Sequence, residues 1–305
     1  MATVFIGTSP FAVTVLESLA ATPHRPALVI TRPDRPRGRG RRPEAPPVAQ
    51  AAAGLGLDLL QPERLGDAVR EIAAVQPAVL CVCAYGALVR EPLLSTYEIL
   101  NVHPSLLPRW RGAAPIERAI MAGDTQTGVS IIRLTAGLDS GPICGRASEP
   151  IDPRDTYGTL AGRLAGLGSR LLIGVLDGPR TYVEQTDGGL TYAEKISPEH
   201  RVLDPGRPAA ELERVVRALD PHIGARIEVP ILAGGLRVHA AGVVPAGGGS
   251  GAPLGAGDPP AEGELGVRDG RLLYGTRDGA LELLRVQPPG GRPMTAADYV
   301  RGHAV

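Results

Sequence analysis

Short apolar runs alternate with amphipathic stretches through the first half of the chain. Residues 3–6, 27–31, 78–84, 99–102 and 128–134 read as strands, with helical patterns between them. Strands that alternate with helices need crossover connections, so the pattern predicts a parallel, doubly wound α/β sheet. In the first turn, Gly7-Thr8-Ser9-Pro10, a serine is placed to cap a helix and a proline takes its first position. The turn lacks Gly-x-Gly-x-x-Gly spacing, so no dinucleotide is expected there. Helical periodicity over 157–176 breaks at Asp177-Gly178-Pro179. A short helix follows over Ala209–Leu219, with Leu212, Val215, Val216 and Leu219 on one stripe, and then brief strand-like runs punctuated by Gly and Pro. That tail predicts a smaller all-β barrel or sandwich. The expected division is a sheet domain at 1–189, a linker at 190–207 and a second domain at 208–305, with a mobile hairpin loop at 245–263.

Composition narrows the classes. At 305 residues the chain accommodates two cores, since domains usually run to about 100–200 residues. The formal net charge is zero, so a polyanion must be met by a local patch rather than by the global field. Lys195 is the only lysine, which weakens any single arginine as a sign of phosphate recognition. Three cysteines lack metal-ligand spacing and imply a reducing compartment without a disulfide framework. There is no basic leader, and nowhere do eighteen apolar residues run together, so a soluble, cytoplasmic protein with no membrane partner is expected. None of the six histidines pairs with a second ligand at a recognisable spacing, and no metal is expected.

The stretch richest in chemistry is Asn101-Val102-His103-Pro104-Ser105-Leu106-Leu107-Pro108. If Asn101 and His103 end a strand, both side chains share a face at the carboxyl edge of the sheet, where open α/β folds place ligands. An amide N–H and an imidazole suit acyl transfer through a tetrahedral oxyanion. Asp139, in the Gly-punctuated loop after residues 128–134, is the candidate to orient or charge the imidazole. The residues alone also fit a plainer reading, in which Asn101 and His103 satisfy backbone groups at a turn and Asp139 forms one.

Asn-x-His-Pro-Ser-Leu-Leu-Pro-x-x-x-Gly from Asn101, followed by Gly137-Leu138-Asp139-Ser140-Gly141-Pro142-Ile143, resembles the signature of the formyltetrahydrofolate-dependent formyltransferases. The resemblance covers nearly the whole chain. It implies a Rossmann-like catalytic domain, an OB-like C-terminal domain that binds tRNA, and Asn101, His103 and Asp139 as the catalytic trio. It also implies 10-formyltetrahydrofolate as formyl donor, in a folate pocket lined by Ser105, Leu106, Leu107, Pro108, Tyr85 and Gly86. Three features resemble the member that acts on methionyl initiator tRNA: the first turn Gly7 to Ala12, the arginine-rich stretch from Thr31 to Arg42, and a C-terminal domain entered by Thr191-Tyr192-Ala193-Glu194-Lys195-Ile196.

The arginine stretch carries six arginines in eleven residues, the densest charge in a neutral chain. Pro and Gly around them favour a flexible loop that orders on a phosphate backbone, or else a solvated surface loop. Arg35, Arg37, Arg39, Arg41 and Arg42 are the expected tRNA contacts, with Arg39 at the family's position for the acceptor end. Trp110 is a candidate to stack on a terminal base or to cover the sheet edge. The segment from Asp220 to Gly224 departs from the family pattern. Two other readings stay open: an amine formyltransferase acting on a nucleotide sugar, and a non-catalytic tRNA-binding protein. A monomer is expected.

Overall fold

The computed structural model describes residues 2–37, 42–228, 234–245 and 259–303. The chain folds into two compact units. The first comprises Met1–Pro115, Gln126–Pro150 and Ala161–Glu194; the second comprises Ile116–Thr125, Ile151–Leu160 and Lys195–Val305.

The described strands of the first unit are β1 (Thr3–Gly7), β2 (Leu28–Ile30), β3 (Arg35–Arg37), β4 (Arg42–Glu44), β5 (Leu59–Leu60), β6 (Val79–Cys83), β7 (Ile99–His103), β8 (Arg111–Gly112), β9 (Gln126–Arg133), β10 (Ile143–Pro150) and β11 (Tyr192–Ala193). Seven build one sheet in the order β10-β9-β7-β6-β1-β2-β5. The five from β5 to β7 run parallel, as the alternating pattern predicts. The last two differ, because β9 pairs antiparallel with β7, and β10 antiparallel with β9. A hairpin needs no crossover helix, and the short loop between β9 and β10 leaves room for none.

Chain order reverses between β1 and β6, so a crevice opens at their carboxyl ends. Thr8 Oγ1 bridges it, donating to the Tyr85 carbonyl at 3.0 Å. Beneath, Val4, Phe5, Ile6, Leu80, Cys81, Leu100 and Val102 are fully or almost fully buried, which explains why these strands read as continuous apolar runs. Ser9 caps the helix Pro10–Ala20 through the Ala12 N–H. The helix Tyr157–Asp177 meets the length and apolarity of a membrane span by composition alone. Here Leu164, Ala165, Leu172 and Leu176 bury one stripe of it, and Gly168 lies against Val102 and Val129 of the sheet.

In the second unit the helix Ala209–Leu219 buries Leu212, Val215, Val216 and Leu219. These residues share a core with strands of one antiparallel sheet: β12 (Ala225–Ile227), β13 (Leu236–Pro245), β14 (Leu265–Arg268), β15 (Arg271–Thr276), β16 (Gly279–Gln287) and β17 (Met294–Thr295). Register shifts between Val238 and Ala241 bend β13, and the sheet curls as a half-barrel. Residues 246–258, the bulk of the expected hairpin loop, lie outside the described residues.

The stretch expected as a linker at 190–207 is divided between the units. Tyr192–Ala193 pairs in parallel with Arg111–Gly112 in the first, while Val202 bridges Arg226 in the second. Backbone groups without periodicity of their own find hydrogen-bond partners on adjacent loops.

Leu164 is fully buried and Arg170, on the same helix, is exposed. Leu164→Ala is expected to cost about 2–5 kcal/mol, and Arg170→Ala less than about 0.5 kcal/mol. Urea unfolding checks this through the midpoint at constant slope.

Candidate active site

Strand β7 ends at His103, and its pleat sets Asn101 and His103 on one face, opposite Ile132 and Ser130 of β9. Asn101 is partly exposed, and its carboxamide joins no hydrogen bond among the described residues. His103 is 4 % exposed. Its Nε2 lies 2.9 Å from the Trp110 carbonyl oxygen, and its Nδ1 lies 3.6 Å from Asp139 Oδ2. A carbonyl only accepts, so Nε2 carries a proton and donates. Each ring nitrogen thus faces an oxygen, a backbone carbonyl on one side and a carboxylate on the other.

Asp139 arrives by an indirect route. Because β9 is antiparallel to β7, its last residue Arg133 pairs with Leu100, three residues short of His103. That offset is about 10 Å along the strand. The loop after β9 therefore turns back to reach the imidazole. Gly141 makes the return possible, since a Cβ there would sit 1.8 Å from the Arg133 carbonyl oxygen. Asp139 itself has φ 46°, and Trp110, on the other flank of His103, has φ 64°. Left-handed backbone costs a non-glycine residue about 1–2 kcal/mol, so both conformations must be held by their surroundings.

Those holding bonds are specific. Asp139 Oδ2 accepts the Gly112 N–H at 2.9 Å. The Trp110 N–H donates to Thr191 Oγ1 and the Arg111 N–H to the Thr191 carbonyl, each at 2.9 Å. Gly112 has φ 123°, and a Cβ on it would lie 2.7 Å from the Ala193 carbonyl oxygen. A side chain there would push β11 off β8. Thr191-Tyr192-Ala193, read from sequence as the entrance to the second domain, thus belongs to the wall of this site.

The expected folate-lining residues separate into two sets. Ser105, Leu107 and Tyr85 are buried, and they anchor turns to the core. Ser105 Oγ donates to the Arg109 carbonyl at 2.7 Å, and Leu107 packs with Ile132 and Ile143. Ser130 Oγ donates to the Ser105 carbonyl and accepts the Leu107 N–H. Leu106 and Pro108 are partly exposed, and Gly86 is exposed. Leu88 and Leu138 are exposed at 66 % and 51 %, Leu88 on the loop after β6 and Leu138 beside Asp139. Apolar side chains and turn backbone next to His103 are a chemically suitable rim for a planar, hydrogen-bonding heterocycle such as a pterin.

Of the expected tRNA contacts, Arg35 and Arg37 lie on β3 and Arg42 on β4, and these two strands pair antiparallel. Arg39 and Arg41 lie outside the described residues. Arg35 is exposed and makes a solvated ion pair with Glu63 at 3.4 Å. The Arg109 guanidinium covers the Trp110 ring, 4.3 Å from its centroid.

The thiols take no part. Burial pushes Cys81 up to about 12 and Cys83 higher still, and burial raises Cys144 to about 11. All three are therefore thiols at neutral pH. Ellman's reagent at pH 8 is expected to label the folded chain at a small fraction of the rate seen in denaturant. For Cys144 the folded value exceeds the unfolded 9.0, so its stabilisation is complete below pH 9 and lost as pH rises toward 11.

Comparison with known proteins gives two family matches: Formyl transferase over residues 1–176 and Formyl transferase, C-terminal domain, over 195–304. A methionyl-tRNA formyltransferase of Halorhodospira halophila is 44% identical over 98% of this chain and 95% of its own. Another from Methylococcus capsulatus is 42% identical over 100% of this chain and 98% of its own. Among solved structures, an N-formyltransferase from Helicobacter canadensis, in complex with folinic acid and dTDP-3-aminofucose, superposes with TM-score 0.66. It is 15% identical and covers 92% of this chain and 98% of its own, a likeness of fold.

Proposed function

The chain belongs to the formyl transferase family, and from that membership we propose that it transfers a formyl group from 10-formyltetrahydrofolate to the free amino group of methionyl initiator tRNA, in the cytoplasm. The observation that carries the choice of acceptor is the full-length likeness to methionyl-tRNA formyltransferases. The chemistry rests on the Asn101, His103 and Asp139 arrangement.

In this reading the deprotonated α-amine attacks the formyl carbon, and the formyl oxygen becomes an oxyanion. Asn101 and His103 each donate an N–H to it. The Asp139 carboxylate, 3.6 Å from Nδ1, offsets the charge of the protonated ring. The Nε2–H now bonded to the Trp110 carbonyl is exchanged onto substrate, a rearrangement common when a catalytic site closes on its ligand. His103 then gives a proton to the departing folate nitrogen and recovers one from the attached ammonium, leaving the formamide and tetrahydrofolate. The folate ring would lie along the Gly86 to Leu88 turn and the Leu106 to Pro108 segment. Arg35, Arg37, Arg39, Arg41 and Arg42 would meet tRNA phosphates.

Labelled formyl transfer is the direct test, with charged initiator tRNA, charged elongator tRNA and an amino sugar nucleotide as parallel acceptors. Product on the initiator tRNA alone is expected; product on the sugar would replace the tRNA assignment. His103→Ala is expected to lower kcat by roughly 10²–10⁴ with tRNA affinity unchanged. Arg37→Ala with Arg42→Ala is expected to weaken tRNA binding and to reduce its salt slope by about one per arginine, with kcat at saturation retained. Filter binding across a salt series reads that slope.

A further inference from the structure

The loop from Val183 to Thr191 has no regular secondary structure beyond an isolated bridge, and its side chains at Val183, Glu184, Thr186 and Asp187 are exposed. Gln185 is the exception. Its Nε2 donates to the Asp139 carbonyl and to the Gly141 carbonyl, each at 2.8 Å. Its Oε1 accepts from Arg111 Nε at 3.0 Å and Arg111 Nη2 at 2.8 Å. Both N–H groups and the oxygen are thus engaged. Carbonyls only accept and a guanidinium only donates, so a single orientation of the amide satisfies all four bonds.

We infer that Gln185 is a positioning residue for the transfer reaction: its carboxamide ties the Asp139 loop to the Trp110-Arg111 turn and so holds both groups that flank His103. The inference rests on the proposed function for its kinetic consequences, though not for its geometry. Asp139 and Trp110 both carry positive φ, and each supplies one acceptor to the imidazole. Gln185 grips the carbonyl of Asp139 itself and, through the 8 %-exposed Arg111, the residue next to Trp110. It touches neither His103 nor the face beside Asn101 and acts only through these two neighbours. Neutrality is part of the role. A carboxylate at this position could still accept from Arg111, but it has no N–H for the Asp139 and Gly141 carbonyls and would repel both.

The full-length chain is compared as wild type, Gln185→Met, Gln185→Glu, Asp139→Asn and the Asp139→Asn/Gln185→Met double variant. The measurements are kcat and KM for donor and acceptor, and the downfield imidazole N–H resonances of His103. Both Gln185 variants are expected to lose about 10- to 100-fold in kcat, with each KM within about threefold of wild type, the scale of a small misplacement of reacting groups. The double variant should be no slower than Asp139→Asn alone, because residues acting as a unit are not additive. A residue that merely supports the fold would multiply its loss into the Asp139→Asn background. The His103 N–H resonance, sheltered in wild type, should broaden into solvent exchange in Gln185→Glu. Wild-type kcat in Gln185→Glu, a multiplicative double variant, or an unchanged His103 resonance each overturns the inference. If Gln185→Met does not fold, Gln185→Glu and its pairing with Asp139→Asn decide in the same way. A wild-type chain that formylates no acceptor defeats the proposed function alone, and the resonance still tests the clamp.

Discussion

An imidazole buried among apolar strands is costly unless both ring nitrogens meet partners, and His103 meets the Trp110 carbonyl on one side and faces the Asp139 carboxylate on the other. That bracket constrains much of the surrounding structure. Neither partner is local in the way a capping residue is. Trp110 must adopt left-handed backbone to aim its carbonyl, and Asp139 must return from a strand that ends about 10 Å away. The strain is compensated by the Trp110 N–H donated to Thr191 Oγ1 and by hydrogen bonds that Gly112 and Gln185 donate to Asp139.

Preorganisation of this kind places stress where chemistry needs it. Core packing under Val4, Leu80 and Leu100 fixes the carboxyl edge of the sheet, and the loops above that edge are tied to one another as well as to the core. Ser105 and Ser130 hold the segment after His103 in the same manner, by satisfying buried carbonyls and amides that no strand could pair. The site is therefore held by specific hydrogen bonds without being regular secondary structure.

Charge is handled separately. The chain is neutral overall, and the described parts of its arginine-dense segment, Arg35–Arg37 and Arg42–Glu44, pair as the antiparallel strands β3 and β4. In the backbone register Arg35 faces Glu44 and Arg37 faces Arg42. Proline at positions 36 and 43, facing each other in that register, suits an isolated two-stranded element whose edges face solvent.

Much was legible in the sequence because the signals were local. Apolar runs of strand length, the Ser9-Pro10 helix start, the amphipathic stripe of Ala209–Leu219, and the Asn101, Val102, His103 spacing are set by neighbouring residues and survive any tertiary context. The paired motifs around His103 and Asp139 were also visible, and with them the family. The antiparallel turn of β9, the burial of Ser105, Leu107 and Tyr85, the assignment of Tyr192–Ala193 to the wall of the site and the reach of Gln185 were not. Each is decided by partners 23 to 81 residues apart in the chain, such as Leu107 with Ser130 or Arg111 with Tyr192. Strand direction, loop path and hydrogen-bond partner at such separations depend on which surfaces pack, and a linear pattern of hydrophobicity does not encode that choice.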